Sequence, residues 1–171
     1  MFDALTRKAP ESAIMCVDVG NNAYSFGRYF ETKHHTFLMS GYLGSIGFAL
    51  PAALGAWAAV GNDRPIVVVA GDGGICQYLA EITTAVKYQM PIKIIILNNN
   101  ELGKITKEQR AGGWDKWATD LMNPDFAKFA TSCGALGIKI TKRDQLDEAM
   151  KELFDHKGPG LIEIAADVKL I

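Results

Sequence analysis

The chain has 171 residues, 49% apolar and 22% charged, which suits one domain with its own core and excludes a disordered or collagen-like chain. Its 18 basic and 19 acidic residues leave a net charge of −1, so it carries no electrostatic footprint for nucleic acid. Mean hydropathy is +0.06, no run of ~18 apolar residues offers a membrane span, and Asp3, Arg7, Lys8 and Glu11 interrupt any signal-peptide core.

In chain order, Ser12 to Asp18 reads as a strand ending in a polar turn, and His35 to Met39 as a weaker strand. Ile46 to Val60 reads as a buried helix with Pro51 near its start. Pro65 to Ala70 (PIVVVA) is a continuous β-branched run, the pattern of a parallel strand covered on both faces. Ile75 to Gln89 reads as one helix, with Ile75, Leu79, Ile82, Val86 and Met90 at helical spacing. Pro91 to Leu97 is the next buried strand, and Glu101 to Met122 a short helix followed by a mobile loop. Asn123-Pro124-Asp125 starts a helix with Pro124 at its first position. Gly137 to Ile140 is a short strand, Arg143 to His156 an amphipathic helix and Gly160 to Ala166 the last strand. This alternation predicts an α/β three-layer sandwich spanning residues 1–171, with a mostly parallel sheet and helices on both faces. Cys16, Cys76 and Cys133, odd in number and far apart, read as reduced core thiols of a cytoplasmic protein. His34 and His35, adjacent on a strand, point to opposite faces and cannot chelate together.

In such a sheet, ligands bind at the carboxyl ends of the strands, near a switch in strand order. Four segments carry unusual residues there: Asp18 to Asn22, Gly41 to Gly47, Gly71 to Gly74, and Asn98 to Glu101. Glycines between a strand and a helix let backbone N–H groups approach an anion. A carboxylate among them, Asp72, would repel a bare phosphate but suits one held through a divalent cation. Asn99 follows Asp72 by 27 residues, the interval of one helix and one strand, and its amide oxygen is a neutral hard ligand. Taken alone, Asp72 could be a helix cap and the asparagines a turn. Together they point to a magnesium-held phosphate or diphosphate, although neither G-x-x-x-x-G-K-[ST] nor a strand-linked G-x-G-x-x-G is present.

The segment GDGGICQYLAEITTAVKYQMPIKIIILNN, a GDG followed after about 25 residues by NN, resembles the signature of the thiamine diphosphate-dependent 2-oxo-acid enzymes. Nearly the whole chain resembles their C-terminal, diphosphate-binding domain, closest to pyruvate oxidases and quinone-linked pyruvate dehydrogenases, with acetolactate synthases and 2-oxo-acid decarboxylases next. The resemblance implies that Asp72, Asn99 and the Glu101 carbonyl hold Mg2+. It matches Gly71, Gly73, Gly74, Asn21 and Asn22 to positions around the diphosphate, and Gly44, Ser45, Leu102 and Gly103 to further cofactor contacts. Ile46 matches the apolar wedge that bends the cofactor. Glu108, nine residues after Asn99, matches a substrate-side glutamate of the oxidase-like branch. Acetolactate synthases favour a tryptophan near there, and decarboxylases a glutamate three positions earlier, where this chain has Ile105. Lys104 departs from the oxidase-like pattern, which has an aromatic or apolar residue.

The implied activity is decarboxylation of a 2-oxo acid such as pyruvate, in a homo-oligomer. A pyrimidine-binding domain or subunit would supply an activating glutamate. That domain, and any FAD-binding one, would lie outside these residues, so the chain alone is expected to bind cofactor weakly and turn over poorly.

Overall fold

The structure is a computed structural model and describes residues 1–168. Its elements are α1 (Phe2–Lys8), β1 (Ile14–Val17), α2 (Asn21–Tyr29), β2 (Thr36–Leu38), α3 (Ala49–Val60), β3 (Ile66–Gly71), α4 (Asp72–Ile75), α5 (Ile82–Lys87), β4 (Lys93–Asn98), α6 (Gly103–Ala111), α7 (Phe126–Ser132), β5 (Leu136–Ile140), α8 (Leu146–Asp155) and β6 (Gly160–Ala165). The strands form one sheet in the order β2-β1-β3-β4-β6-β5, and every neighbouring pair is parallel.

Two cores, one on each face of the sheet, make the three layers. Successive side chains on a strand point to opposite faces, so Ile94 and Ile96 pack with α3, α5 and α7 through Leu50, Ala53, Ile82, Ala85, Phe126 and Ala130. Ile95, between them, packs on the other face with α1, α2 and α8 through Leu5, Phe26, Met150 and Leu153. Double coverage explains why β3 and β4 read as unbroken apolar runs rather than alternating ones. Among the described residues no helix is long and apolar enough to cross a membrane.

The structure adds two helices to the sequence reading and breaks one. The pattern marks no helix at α1 or α2; both are short and gain their place by burying Phe2, Leu5 and Phe26 on the sheet. The stretch 75–89 is not one helix. It divides into α4, a 3₁₀ turn at Leu79–Glu81 and α5. The break lies where Gln77 and Tyr78 pack against Gly47, whose added Cβ would meet Gln77 Oε1 at 2.6 Å and Tyr78 Cε2 at 2.9 Å. Ile75, Ile82 and Met90 stay buried all the same, so the apolar spacing marked the right face.

Three smaller expectations also change. α3 starts at Ala49 rather than Ile46, because Gly47 takes a positive φ of 82° that ends the loop before it. α7 starts at Phe126: Asp125 caps it by accepting the Lys128 amide at 3.0 Å, which leaves Pro124 one residue outside the cap. Of the three free cysteines Cys16 is buried, but Cys76 is exposed and is not a core thiol. His35 lies just before β2 and meets the ring of Phe30 edge-on at 5.0 Å.

Candidate functional site

β1 has β2 on one side and β3 on the other, so the strand order reverses there. A crevice opens at the carboxyl ends of strands beside such a switch point. Here it is a cleft of about 340 Å³, walled by the residues that follow β1, β3 and β4, by the Gly44–Ile46 loop and by the start of α6.

Asp72 sits in this cleft wall, 3% exposed. Its Oδ1 accepts the Gly73 amide at 3.0 Å, and its Oδ2 accepts the Asn100 amide and Asn123 Nδ2, both at 2.7 Å. All three donors are neutral. Burial pushes the carboxyl above the ordinary aspartate value, against the pull of Asn123, Gly73 and Asn100. A buried carboxylate without a balancing charge is costly unless a cation reaches it. That is a physical reason to expect a bound cation in the cleft.

The backbone beside Asp72 is shaped for close approach. An added Cβ on Gly74 would fall 2.7 Å from Asp18 Oδ2 and 3.2 Å from the Gly47 nitrogen, and one on Gly73 would fall 2.5 Å from Leu102 Cδ2. Asp18, 1% exposed at the end of β1, accepts the Val19 amide at 2.7 Å and the Gly47 amide at 2.9 Å. Burial raises its carboxyl, and the amides of Val19, Gly47, Ala49 and Phe48 draw it back down. Asp18 therefore binds the free amides where α3 begins, a cap supplied from another strand, and it fixes the loop that carries Gly44 and Ile46. Asn22 Nδ2 closes the β1 turn on the Asp18 carbonyl at 2.8 Å.

After β4 the chain makes a tight turn. Asn100 takes a left-handed φ of 56°, which asparagine tolerates, and this aims its amide at Asp72. Asn99 Oδ1 accepts the Glu101 amide at 3.1 Å and also borders the cleft. The asparagines thus form the turn after β4, and that turn leaves Asn99 at the cleft. The Glu101 side chain points away into an ion pair with Lys116, itself paired with Asp120. With the Leu102 amide on the Thr119 carbonyl at 2.8 Å, the Leu121 amide on the Asn100 carbonyl at 2.9 Å and Gln109 bonded both ways to Trp117, residues 112–122 form a tied strap rather than a free loop.

The structure brings Asn21, Asn22, Gly44, Ile46, Gly71, Asp72, Gly73, Gly74, Asn99, Glu101, Leu102 and Gly103 to one cleft. Ser45 is exposed and outside the lining, with its amide on Ser40 Oγ at 3.3 Å. Glu108 is also outside it: one turn along α6 from the cleft, its carboxylate pairs with Lys104 and stays more than half exposed. Lys104 itself does line the cleft, its ammonium over the Tyr24 ring at 5.4 Å. Sequence reasoning missed Asn123, Asp18 as a cap and Lys116 as an anchor. The Asn-Pro-Asp signal drew attention to the helix start rather than to the asparagine side chain.

Residues 18–164 match the family model described as the thiamine pyrophosphate enzyme, C-terminal TPP binding domain. The chain belongs to this family. The thiamine pyrophosphate (thiamine diphosphate) enzymes it resembles include the Bacillus subtilis thiamine pyrophosphate-containing protein YdaP, 37% identical over 94% of this chain and 28% of that one. The mitochondrial acetolactate synthase catalytic subunit of Saccharomyces cerevisiae is 39% identical over 80% of this chain and 20% of its own length. Among solved structures, the Rhodococcus jostii RHA1 thiamine diphosphate-dependent 4-hydroxybenzoylformate decarboxylase superposes with a TM-score of 0.86 at 26% identity, over 97% of this chain and 32% of that one. The chain spans less than a third of the length of each of these relatives.

Proposed function

We propose that this cleft holds the magnesium-diphosphate end of thiamine diphosphate, as part of an enzyme that decarboxylates a 2-oxo acid such as pyruvate. The observation that carries the reading is Asp72: a buried carboxylate met, among the described residues, by three neutral donors, beside Gly74, where an added Cβ would fall 2.7 Å from Asp18 Oδ2 and 3.2 Å from the Gly47 nitrogen. Asp72, the Asn99 amide oxygen and the Glu101 carbonyl would ligate Mg2+, a hard cation that takes oxygen donors. The Gly74 amide would meet the diphosphate, with Gly71, Gly73, Asn21 and Asn22 beside it. Gly44, Ile46, Leu102 and Gly103 would contact the rest of the cofactor. When bound, the cofactor supplies the carbanion chemistry of 2-oxo-acid decarboxylation. The chain's own residues anchor its charged end and exclude water around it, Ile46 serving as the apolar wedge.

The rest of the reaction is read from two directions. Glu108 and its spacing support a pyruvate oxidase-like enzyme, in which FAD or another electron acceptor takes part. Its outward ion pair with Lys104 weakens that support. The names of the relatives, several of them acetolactate synthases, favour condensation of two 2-oxo acids. Acetolactate formed from pyruvate by the whole enzyme supports condensation, and reduction of an added electron acceptor supports the oxidase. In either case a pyrimidine-binding domain or second subunit would supply the activating glutamate. Tyr42 and Leu43, exposed beside the cleft loop, support a partner surface there, with a homo-oligomer as the simplest form. Three free cysteines support a cytoplasmic setting.

The decisive experiment is calorimetric titration of thiamine diphosphate with Mg2+, repeated with EDTA and with Asp72→Ala. Binding that requires Mg2+ and vanishes in the variant is expected. Absence of magnesium-dependent binding after the pyrimidine-binding part is added would overturn the reading. Pyruvate decarboxylation by this chain alone would show that the partner glutamate is not required.

A further inference from the structure

The Asp72 carboxylate is oriented by a chain of amides that begins on the far side of β4. Oδ2 accepts two donors, the Asn100 amide and Asn123 Nδ2, each at 2.7 Å, and these fill the two lone-pair directions of that oxygen. Among the described residues Oδ1 accepts one donor, the Gly73 amide at 3.0 Å, which leaves one of its two lone-pair directions open. We infer that Asn123 is a positioning residue that decides which oxygen of Asp72 faces a divalent cation. The inference rests on the reading of Asp72 as a cation ligand.

The Asn123 side chain has little choice of orientation. Its Nδ2 lies 2.7 Å from Asp72 Oδ2, 3.0 Å from Asn98 Oδ1 and 3.2 Å from Asn100 Oδ1. The two nearer acceptors match the two hydrogens of the NH2 group, so the flipped amide would set its oxygen against both Asp72 Oδ2 and Asn98 Oδ1. Asn98 is fixed in turn, because its Nδ2 donates to Glu163 Oε1 at 2.9 Å. Glu163 is 2% exposed on β6 and is held by Lys139 at 3.1 Å and by the Ala127 amide at 3.3 Å. The relay Glu163–Asn98–Asn123–Asp72 therefore ties β6, β4, the start of α7 and α4 to one oxygen. Pro124 restricts the backbone of the residue before it, and the Asp125 cap anchors the next turn, which holds the relay's third member in place.

The test is Mn2+ binding by the 171-residue chain with thiamine diphosphate, read by the electron paramagnetic resonance of free Mn2+, for the wild type, Asn123→Leu, Asn123→Ala and Asp72→Ala. Asn123→Leu keeps the volume, removes the donor and excludes water; Asn123→Ala leaves room for a water to donate in its place. Loss of one hydrogen bond to a charged group weakens Mn2+ binding about tenfold in Asn123→Leu and less in Asn123→Ala, with the metal-free unfolding midpoint of Asn123→Leu near that of wild type. A role in packing alone reverses the order, alanine being the worse because it opens a cavity, and that order overturns the inference. Wild-type affinity in Asn123→Leu, with binding still abolished by Asp72→Ala, overturns the inference and leaves the site reading standing. Binding that survives Asp72→Ala overturns both. Crystal structures of the metal-free variants read the geometry directly: a turned Asp72 carboxylate in Asn123→Leu supports the inference, and an unmoved one overturns it.

Discussion

Asp72 and Lys93 are both buried charges on one sheet, 3% and 6% exposed, and they sit at opposite edges of it. Lys93 opens β4 at the amino edge. Its Nζ donates to the carbonyls of His156 at 2.6 Å and Gly158 at 2.7 Å, closing the connection between α8 and β6. Burial lowers its pKa to about 8, and a neutral amine keeps both of those hydrogen bonds. Asp72, past the carboxyl end of β3, is met by three neutral donors and opens on a cleft. One edge consumes its polar group in holding the chain together. The other leaves its polar group at the wall of an open cleft.

Substitutions can break this contrast, the largest effect coming at the carboxyl edge. Asp72→Ala should weaken magnesium-dependent cofactor binding at least about a hundredfold, about 2.8 kcal/mol, while the cofactor-free protein keeps its unfolding midpoint, because the carboxylate removed was an uncompensated one. Calorimetry and thermal melts check the two halves. Gly74→Ala should cost about 1–3 kcal/mol in denaturant unfolding, since its Cβ enters the space of the Asp18 carboxylate. Cofactor binding should fall with it.

At the amino edge, Lys93→Met should cost about 1–3 kcal/mol by leaving two buried carbonyls unpaired, and cofactor affinity should stay unchanged. The pH dependence has a definite sign. Between about pH 8 and the ordinary lysine value of 10.5 the unfolded chain holds a proton on Lys93 that the folded chain has released. The wild type therefore gains stability relative to Lys93→Met as pH rises through that window. Denaturant melts of both proteins from pH 7 to 10 measure the difference. The smallest effect is expected at Glu108→Gln. Its ion pair with Lys104 is exposed, so stability should move by less than ~0.5 kcal/mol and cofactor affinity should not change. A loss of affinity would bring Glu108 into the cofactor site after all.

Much of the fold was legible because buried parallel strands write themselves as β-branched runs. Residues 66–70 and 93–97 are unmistakable, and the alternation of runs gave the layer order. α1 and α2 were not legible. Seven and nine residues long, they lie below the length at which local propensity sustains a helix, and packing of Phe2, Leu5 and Phe26 on the sheet makes them. The broken helix over 75–89 has the opposite cause: the local pattern was helical, and the approach of the Gly47 loop overrode it.

In the site, the spacing of Asp72 and Asn99 was enough to place both in one cleft, because one helix and one strand return a parallel chain to the same edge. Spacing also placed Glu108 near the cleft but not its direction, which depends on the rotation of α6 and on its pairing with Lys104. Asn123 lies 51 residues from Asp72, and no local pattern links them.

The sequence by itself determined the layered parallel sheet, the glycine turn after β3 and the return of Asp72 and Asn99, 27 residues apart, to one edge of the sheet, since each is a consequence of strand and turn geometry over a short span. Only the tertiary structure decided that Oδ2 of Asp72 takes two donors and Oδ1 one, that Asp18 caps α3, and that residues 112–122 are strapped down through Glu101 and Lys116. Those are contacts between segments brought together by the packing of whole layers, and hydrogen-bond direction at such contacts is set by where the layers meet.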